Sequence, residues 1–165
     1  IVYSKTGLGA DDRVGIYAIL NIINNSTGNS DPHNSRPYIL FTSGEEVGCI
    51  GATVAAQELE KPKVKYIIEL DRKGDSDAVF YDCYNKKFIN YITQFGFIEN
   101  YGSFSDISIL CPHWNIAGVN LSIGYYNTHR KNEYLNIDEM NNTITIVEHM
   151  INNLPENKFK YYTKS

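Results

Sequence analysis

Apolar residues occur along this chain in short blocks, separated by polar stretches that contain glycine or proline. Blocks of four to eight β-prone residues favour buried strands, whereas apolar residues spaced three or four apart favour helices. We therefore predict strands at 38–42, 64–70, 78–81 and 117–122, and helices at 14–23, 52–60, 86–95 and 137–154. The polar stretch 24–37 is predicted to be a surface loop.

The alternation of these strands and helices decides the predicted fold class. Short buried strands that alternate with helices are typical of α/β proteins. We expect a three-layer sandwich in which helices cover both faces of a mostly parallel, mixed sheet. Because the 165 residues contain no internal repeat and no linker-like stretch, residues 1–165 are expected to form a single domain.

Composition and charge argue against several classes of partner. The chain has 15 basic and 19 acidic residues, a formal net charge of −4. Nucleic-acid binding usually requires a basic face, so we expect no nucleic-acid partner. We also expect no membrane partner, because the chain has no polybasic cluster and no apolar run near the roughly 18 residues that span a bilayer.

The three cysteines are Cys49, Cys83 and Cys111, and they form no Cys-x-x-Cys motif. A scattered, odd-numbered set of this kind is neither a disulfide framework nor a structural zinc site. Free, buried thiols are typical of a reducing compartment, which makes the cytoplasm the default location.

Acidic residues and one histidine follow the predicted strands or precede the first helix. In open α/β sheets, ligands bind beyond the carboxyl ends of the strands, so these side chains are expected to converge on one rim. Each feature also has a simpler interpretation: a helix cap, a solvated glutamate pair, a surface ion pair or an exposed loop histidine. The set comprises Asp11, Asp12, Glu45, Glu46, Asp71 and His129.

Crowded carboxylates repel one another unless a cation is present, and carboxylates combined with imidazole suit zinc and similar metals. The side chains of Glu45 and Glu46 are expected to point in different directions, because they are adjacent at the end of a strand. One carboxylate can then hold a metal ion while the other moves a proton during hydrolysis.

Four segments resemble the cocatalytic zinc exopeptidases, a group that includes peptidase T, the bacterial leucyl aminopeptidases and the glutamyl aminopeptidases. Gly-Ala-Asp-Asp-Arg-Val-Gly at 9–15 is similar to their metal-bridging segment, and Phe-Thr-Ser-Gly-Glu-Glu-Val-Gly at 41–48 to their base-and-ligand segment. Ile-Glu-Leu-Asp at 68–71 resembles the strand that ends in a further ligand. Ser105-Asp106, the Ile-Ala-Gly-Val strand and His129 resemble their final segment.

The resemblance implies a role for each candidate residue. Asp11 would bridge two metal ions, and Asp12 would follow it across a peptide bond that is often cis in this group. Glu45 would be the general acid/base. Glu46 and His129 would hold one ion and Asp71 the other. The implied cofactor is zinc, as one or two ions, with cobalt or manganese as alternatives.

The chain departs from the group at its beginning. A His-x-Asp motif normally lies well upstream of the bridging aspartate, but only ten residues precede Asp11 and none is histidine. We therefore expect the chain to be N-terminally incomplete and the second metal site to be weak or empty. His33 and His113 are poor substitutes. An exposed sheet edge or apolar patch is expected, which would favour a homo-oligomer. The short spacings after Asp11 leave no room for a lid domain.

The leading functional hypothesis is a metal-dependent exopeptidase, most simply an aminopeptidase, which hydrolyses peptides with Glu45 as general acid/base. One alternative is an amidohydrolase or deacylase acting on a small non-peptide amide, because the same centre performs both reactions. Another is a catalytically inactive family member that serves as a binding module. Tyr125 and Tyr126 lie near His129 in sequence, and packing is favoured over a role in polarising a carbonyl group.

Overall fold

The structure is a computed structural model that describes residues 1–26 and 37–164. Most of the predicted loop at 24–37, including His33, lies outside the described residues. Helices and strands alternate along the described parts of the chain, which confirms the predicted α/β class. In residues 1–26 and 37–164, no helix has both the length and the apolar character needed to cross a lipid bilayer.

Five helices are present in the described ranges: α1 (Ala10–Ser26), α2 (Ile50–Glu58), α3 (Lys86–Thr93), α4 (Asp106–Trp114) and α5 (Ile137–Asn152). The strands there are β1 (Val2–Tyr3), β2 (Ile67–Arg72), β3 (Asp77–Val79), β4 (Ile98–Asn100), β5 (Gly118–Ser122), β6 (Tyr125–Tyr126) and β7 (Tyr134–Leu135). All four predicted helices occur, and so do the predicted strands at 64–70, 78–81 and 117–122.

The strands form two sheets. A small sheet has the order β1-β7-β6, with β7 antiparallel to both neighbours. A second sheet has the order β2-β5-β3-β4. In this sheet Ile67 N–H donates to the Ala117 carbonyl at 3.0 Å and Ile123 N–H donates to the Arg72 carbonyl at 2.9 Å. Both strands advance in the same direction between these bonds, so β2 and β5 run parallel.

The chain divides into two compact units. The first consists of Ile1–Ile39, Leu70–Asp77 and Leu121–Leu154, and the second of Leu40–Glu69, Ala78–Asn120 and Pro155–Ser165. In the first unit α1 packs on α5. Val14, Ala18 and Ile22 are buried on one side of α1 at helical spacing, as expected for an amphipathic helix.

The core of the second unit lies between α2 and α4. Small residues on α2, namely Ala52, Ala55 and Ala56, pack against Leu110 and Trp114 of α4. Because alanine side chains are short, the two helices can approach each other closely. This contact fixes the position of the turn that leads into α2.

The predicted strand at 38–42 is wrong. The segment forms no strand, and the side chains of Tyr38 and Phe41 are 68% and 49% exposed. Its residues are β-prone, but a strand also needs a neighbouring strand with which to form hydrogen bonds. None of the strands in the described residues pairs with this segment.

Helix α4 was not predicted. Pro112 lies near its C-terminal end, and proline normally opposes the interior of a helix. The Ser108 hydroxyl accepts a hydrogen bond from Ser105 N–H at 3.3 Å, one half of a capping box at the first turn. The helix then ends at Asn115 in a left-handed conformation with φ of 51°.

Candidate metal and active site

Asp11 and His129 meet in the first unit. His129 Nε2 lies 3.0 Å from Asp11 Oδ2, and the side chains are 61% and 17% exposed. Oxygen and nitrogen ligands of a tetrahedral zinc ion lie about 3.3 Å apart, given metal–ligand bonds of about 2.0–2.1 Å. The spacing and chemistry of this pair therefore fit a divalent cation. A surface pocket of about 480 Å³ opens here, and its lining includes Asp11, His129, Arg13 and Lys131.

The start of α1 separates the roles of its two aspartates. Asp11 and Asp12 have non-helical backbone angles, and the peptide bond between them is cis, as the resemblance implied. Asp12 Oδ1 accepts a hydrogen bond from Gly15 N–H at 3.1 Å. This is the contact of a helix N-cap, so the simpler interpretation holds for Asp12. Asp11 instead presents its carboxylate to His129.

Gly15 allows α1 to pass close to β2. A Cβ atom at this position would lie 2.0 Å from the Leu70 carbonyl oxygen and 2.5 Å from Asp12 Oδ1. Only glycine fits this approach without displacing the backbone. The contact lies one residue before Asp71, so the motif at 9–15 holds the start of α1 near the end of β2.

Asp71 accepts a hydrogen bond from the Tyr125 hydroxyl at 2.9 Å. Tyr125 is 2% exposed, and burial, followed by the negative charges of Asp71, Asp11 and Asp12, raises its pKa far above the usual value for tyrosine. The hydroxyl therefore remains protonated and can donate to Asp71. Packing was expected for Tyr125, and its burial agrees, but the hydroxyl also contacts a candidate ligand. Arg72 pairs with Asp77 at 3.0 Å.

Glu45 and Glu46 lie in the second unit, in the turn before α2. The Glu45 carbonyl accepts hydrogen bonds from the N–H groups of Gly48 and Cys49, both at 2.9 Å. A Cβ atom on Gly51 would lie 2.5 Å from Ser43 N, so glycine is required where the turn closes. The Glu45 side chain is partly buried and the Glu46 side chain is exposed. The two side chains thus differ in exposure, and the directions of their carboxylates stay a prediction.

A buried polar cluster lies near Glu45 in the second unit. Burial, then the charges of Asp106 and Glu45, raises the pKa of the Cys49 thiol to about 12, so the thiol stays neutral at physiological pH. The Thr42 hydroxyl donates to Asp106 Oδ2, while Asp106 Oδ1 has no hydrogen-bond partner among the described residues. Sequence reasoning treated Asp106 only as part of a resembling segment.

Sequence reasoning also missed Glu133, which is 3% exposed. Its carboxylate accepts hydrogen bonds from the backbone N–H groups of Gly9 and Asp11. Glu133 follows His-Arg-Lys-Asn, a polar stretch that gives no sign of burial. The exposed His113, in contrast, lies in the last turn of α4.

Comparison of the sequence with models of known protein families identifies the family of this chain. The sequence model of the M42 glutamyl aminopeptidase family matches residues 4–87, just over half of the chain. This range contains Asp11, Glu45, Glu46 and Asp71. The chain belongs to the M42 glutamyl aminopeptidase family. The resemblance to the zinc exopeptidase superfamily is thereby confirmed.

Solved structures show the same fold at low sequence identity. The PhTET1-12s structure, described as a dodecamer, has a TM-score of 0.67 at 20% identity over 91% of this chain and 51% of its own. The TET aminopeptidase from the marine sediment archaeon Thaumarchaeota archaeon SCGC AB-539-E09 has a TM-score of 0.68 at 21% identity, covering 94% and 52%. Aminopeptidase PepT from Bacillus cereus ATCC 10987 has a TM-score of 0.63 at 17% identity, covering 88% and 71%.

This M42 chain therefore spans about half the length of the TET structures it matches. No curated protein matches its sequence. Family membership supports a metallopeptidase with a divalent metal.

Proposed function

We propose that this chain carries the metal-binding and proton-transfer residues of an M42 aminopeptidase that hydrolyses peptides. The observation that carries the proposal is the pair formed by Asp11 Oδ2 and His129 Nε2 at 3.0 Å. A carboxylate and an imidazole at this distance form two corners of a zinc-like site. We propose zinc as the metal, with cobalt or manganese as alternatives.

The proposed roles follow the elements that carry the residues. Asp11 and His129 hold one cation, and Asp71, oriented by Tyr125, serves a second. Glu46 lies in the second unit and enters the proposal as a further ligand on the basis of the motif at 41–48. The bound cation would supply Lewis-acid polarisation of the scissile carbonyl and acidify a water molecule.

Glu45 is proposed as the general acid/base that takes a proton from water and returns it to the leaving amine. Its carboxylate is partly buried, unlike that of Glu46. The neighbouring thiol of Cys49 does not compete for this role, because its pKa of about 12 keeps it protonated.

We further propose that the protein forms homo-oligomers. The PhTET1-12s structure is described as a dodecamer. In this chain the apolar side chains at 38–41 are exposed, as expected for a surface that another chain covers. Sedimentation of the protein as a monomer at micromolar concentration would contradict this part of the proposal.

The test of the activity is hydrolysis of aminoacyl-p-nitroanilide substrates by the protein loaded with zinc, cobalt or manganese. Glu45→Gln is expected to lower kcat by roughly 10²–10⁴-fold, the usual contribution of a general acid/base, with metal content unchanged. Glu58→Gln is the matched control, because Glu58 is an exposed glutamate on α2. An active Glu45→Gln variant would contradict the role of Glu45.

The same assay separates the alternatives. Cleavage of N-acyl amides without cleavage of aminoacyl substrates would favour an amidohydrolase or deacylase. Tight metal binding without hydrolysis of either substrate would favour an inactive binding module and would overturn the proposed activity.

A further inference from the structure

A short turn in the first unit, residues 129–133, contacts the Asp11 segment through the side chains at both of its ends. Glu133 N–H donates to the Arg130 carbonyl at 3.1 Å, which closes the turn, and His129 enters it in a left-handed conformation with φ of 61°. The imidazole of His129 faces the Asp11 carboxylate. The carboxylate of Glu133 turns instead to the backbone that precedes α1.

Glu133 is buried, and its carboxylate binds the backbone that precedes α1. Its Oε2 accepts a close hydrogen bond from Gly9 N–H, and its Oε1 lies 3.4 Å from the Asp11 nitrogen, which also donates to it. The side chain belongs to a residue that is only 3% exposed. A carboxylate is costly to bury unless hydrogen bonds compensate for its lost hydration, so these backbone donors account for its position.

Arg13 binds the same loop through its carbonyl groups. Its Nε donates to the Gly9 carbonyl at 2.8 Å and its Nη2 to the Leu8 carbonyl at 2.7 Å. Gly9 has φ of 63°, and a Cβ atom there would lie 2.0 Å from Arg13 Nη2. The guanidinium of Arg13 therefore donates to the carbonyl groups of the loop before Asp11, and the carboxylate of Glu133 accepts from its N–H groups. Together these hydrogen bonds fix the loop backbone.

We propose that Glu133 is a positioning residue that holds Asp11 and His129 at the spacing that the bound cation requires. The inference rests on the proposed metal site. One turn supplies both the imidazole that faces the Asp11 carboxylate and the carboxylate that fixes the Asp11 backbone. The distance between the two ligand atoms is thus set by a single structural element. Glu133 acts through Asp11 and His129 and does not itself bind the cation.

The first test measures the anchoring without metal. In Glu133→Gln, hydrogen exchange of the Gly9 and Asp11 amides is expected to accelerate at least about tenfold, because an amide group accepts these bonds less strongly than a carboxylate. Exchange at amides in α2 should stay unchanged, which separates a local effect from global destabilisation. Unchanged exchange at Gly9 and Asp11 would overturn the inference.

The second test measures zinc affinity by chelator competition. Loss of a group that orients metal ligands typically weakens binding by roughly 10–100-fold, and Glu133→Gln is expected to fall in this range. Glu139→Gln is the matched control. Glu139 is likewise a carboxylate that accepts two hydrogen bonds and is partly buried, but its donors are Tyr126 and Asn136 rather than the Asp11 loop. Its zinc affinity should equal that of the wild type.

Arg13→Gln provides an independent variant, because Arg13 is exposed and replacements of exposed side chains usually cost little stability. It should also accelerate exchange at Gly9 and weaken zinc binding, in the same direction as Glu133→Gln. If the wild type binds zinc and neither variant weakens binding, the positioning role is refuted while the proposed function stands. If the wild type binds no zinc, the proposed function itself fails.

Discussion

Replacing Tyr125 with phenylalanine removes one atom from the centre of the candidate site. The hydroxyl donates to Asp71 Oδ1 at 2.9 Å, and the side chain is almost completely buried. A hydrogen bond to a charged group contributes about 1.5–3 kcal/mol, so we expect the free energy of unfolding to fall by about 2 kcal/mol. For a chain of this size that corresponds to a decrease of roughly 4–8 °C in Tm.

Affinity for the second metal ion should fall as well, because Tyr125 orients Asp71, the ligand proposed for that ion. Loss of such a contact typically weakens binding by roughly 10–100-fold. The assay combines thermal unfolding of the metal-free protein with chelator competition for zinc. Tyr126→Phe is the matched control, since the Tyr126 hydroxyl donates to Glu139 at 2.6 Å and touches no candidate ligand.

We expect Tyr126→Phe to cost about 1 kcal/mol, because Tyr126 is only partly buried, and to leave zinc affinity unchanged. The reasoning is refuted if both variants bind zinc as tightly as the wild type. It is also refuted if the control weakens binding as strongly as Tyr125→Phe, because the effect would then not pass through Asp71.

Three further predictions concern the local structure and are tested by denaturation and thiol labelling. Gly15→Ala should lower the free energy of unfolding by about 3 kcal/mol, because its Cβ would lie 2.0 Å from the Leu70 carbonyl oxygen. The control, Tyr17→Ala at an exposed position of the same helix, should lower it by less than about 0.5 kcal/mol. Asp12→Ala should lower the free energy of unfolding by about 1 kcal/mol, because the N-cap hydrogen bond is lost. Asp12→Asn should retain most of that stability, since asparagine also caps helices. Equal losses in the two variants would contradict the capping role. Folding raises the pKa of the Cys49 thiol from 9.0 to about 12, so the stability that this thiol contributes is complete below pH 9 and is lost between pH 9 and 12. Iodoacetamide at pH 8 should label Cys49 only when the protein unfolds. Rapid labelling of the native protein would disprove this.

The helices and the main strands could be predicted because their signals are local. The spacing of Phe88 and Ile92, for example, depends only on residues within α3. The segment 38–42 has an equally clear β-prone pattern and yet forms no strand. Strand formation depends on a pairing partner elsewhere in the chain, and the pattern of one segment contains no information about that partner.

The sequence indicated candidate residues, whose roles stay predictions, but it did not indicate the contacts that distinguish them. The motif at 9–15 contains two aspartates, and sequence alone could not show that Asp12 caps α1 while Asp11 faces His129. That distinction depends on the backbone angles of both residues. Glu133 could not be recognised because its burial arises from a turn meeting a loop more than 100 residues earlier in the chain.

The most direct test of the account is a zinc titration of the protein by calorimetry, with Asp11→Asn, His129→Ala and His113→Ala as variants. His113 is an exposed histidine in the last turn of α4 and serves as the matched control. The account predicts about one tightly bound ion in the wild type, unchanged binding in His113→Ala, and a loss of at least about 100-fold in affinity in Asp11→Asn and His129→Ala. Absence of zinc binding, or equal binding by all four proteins, would contradict it.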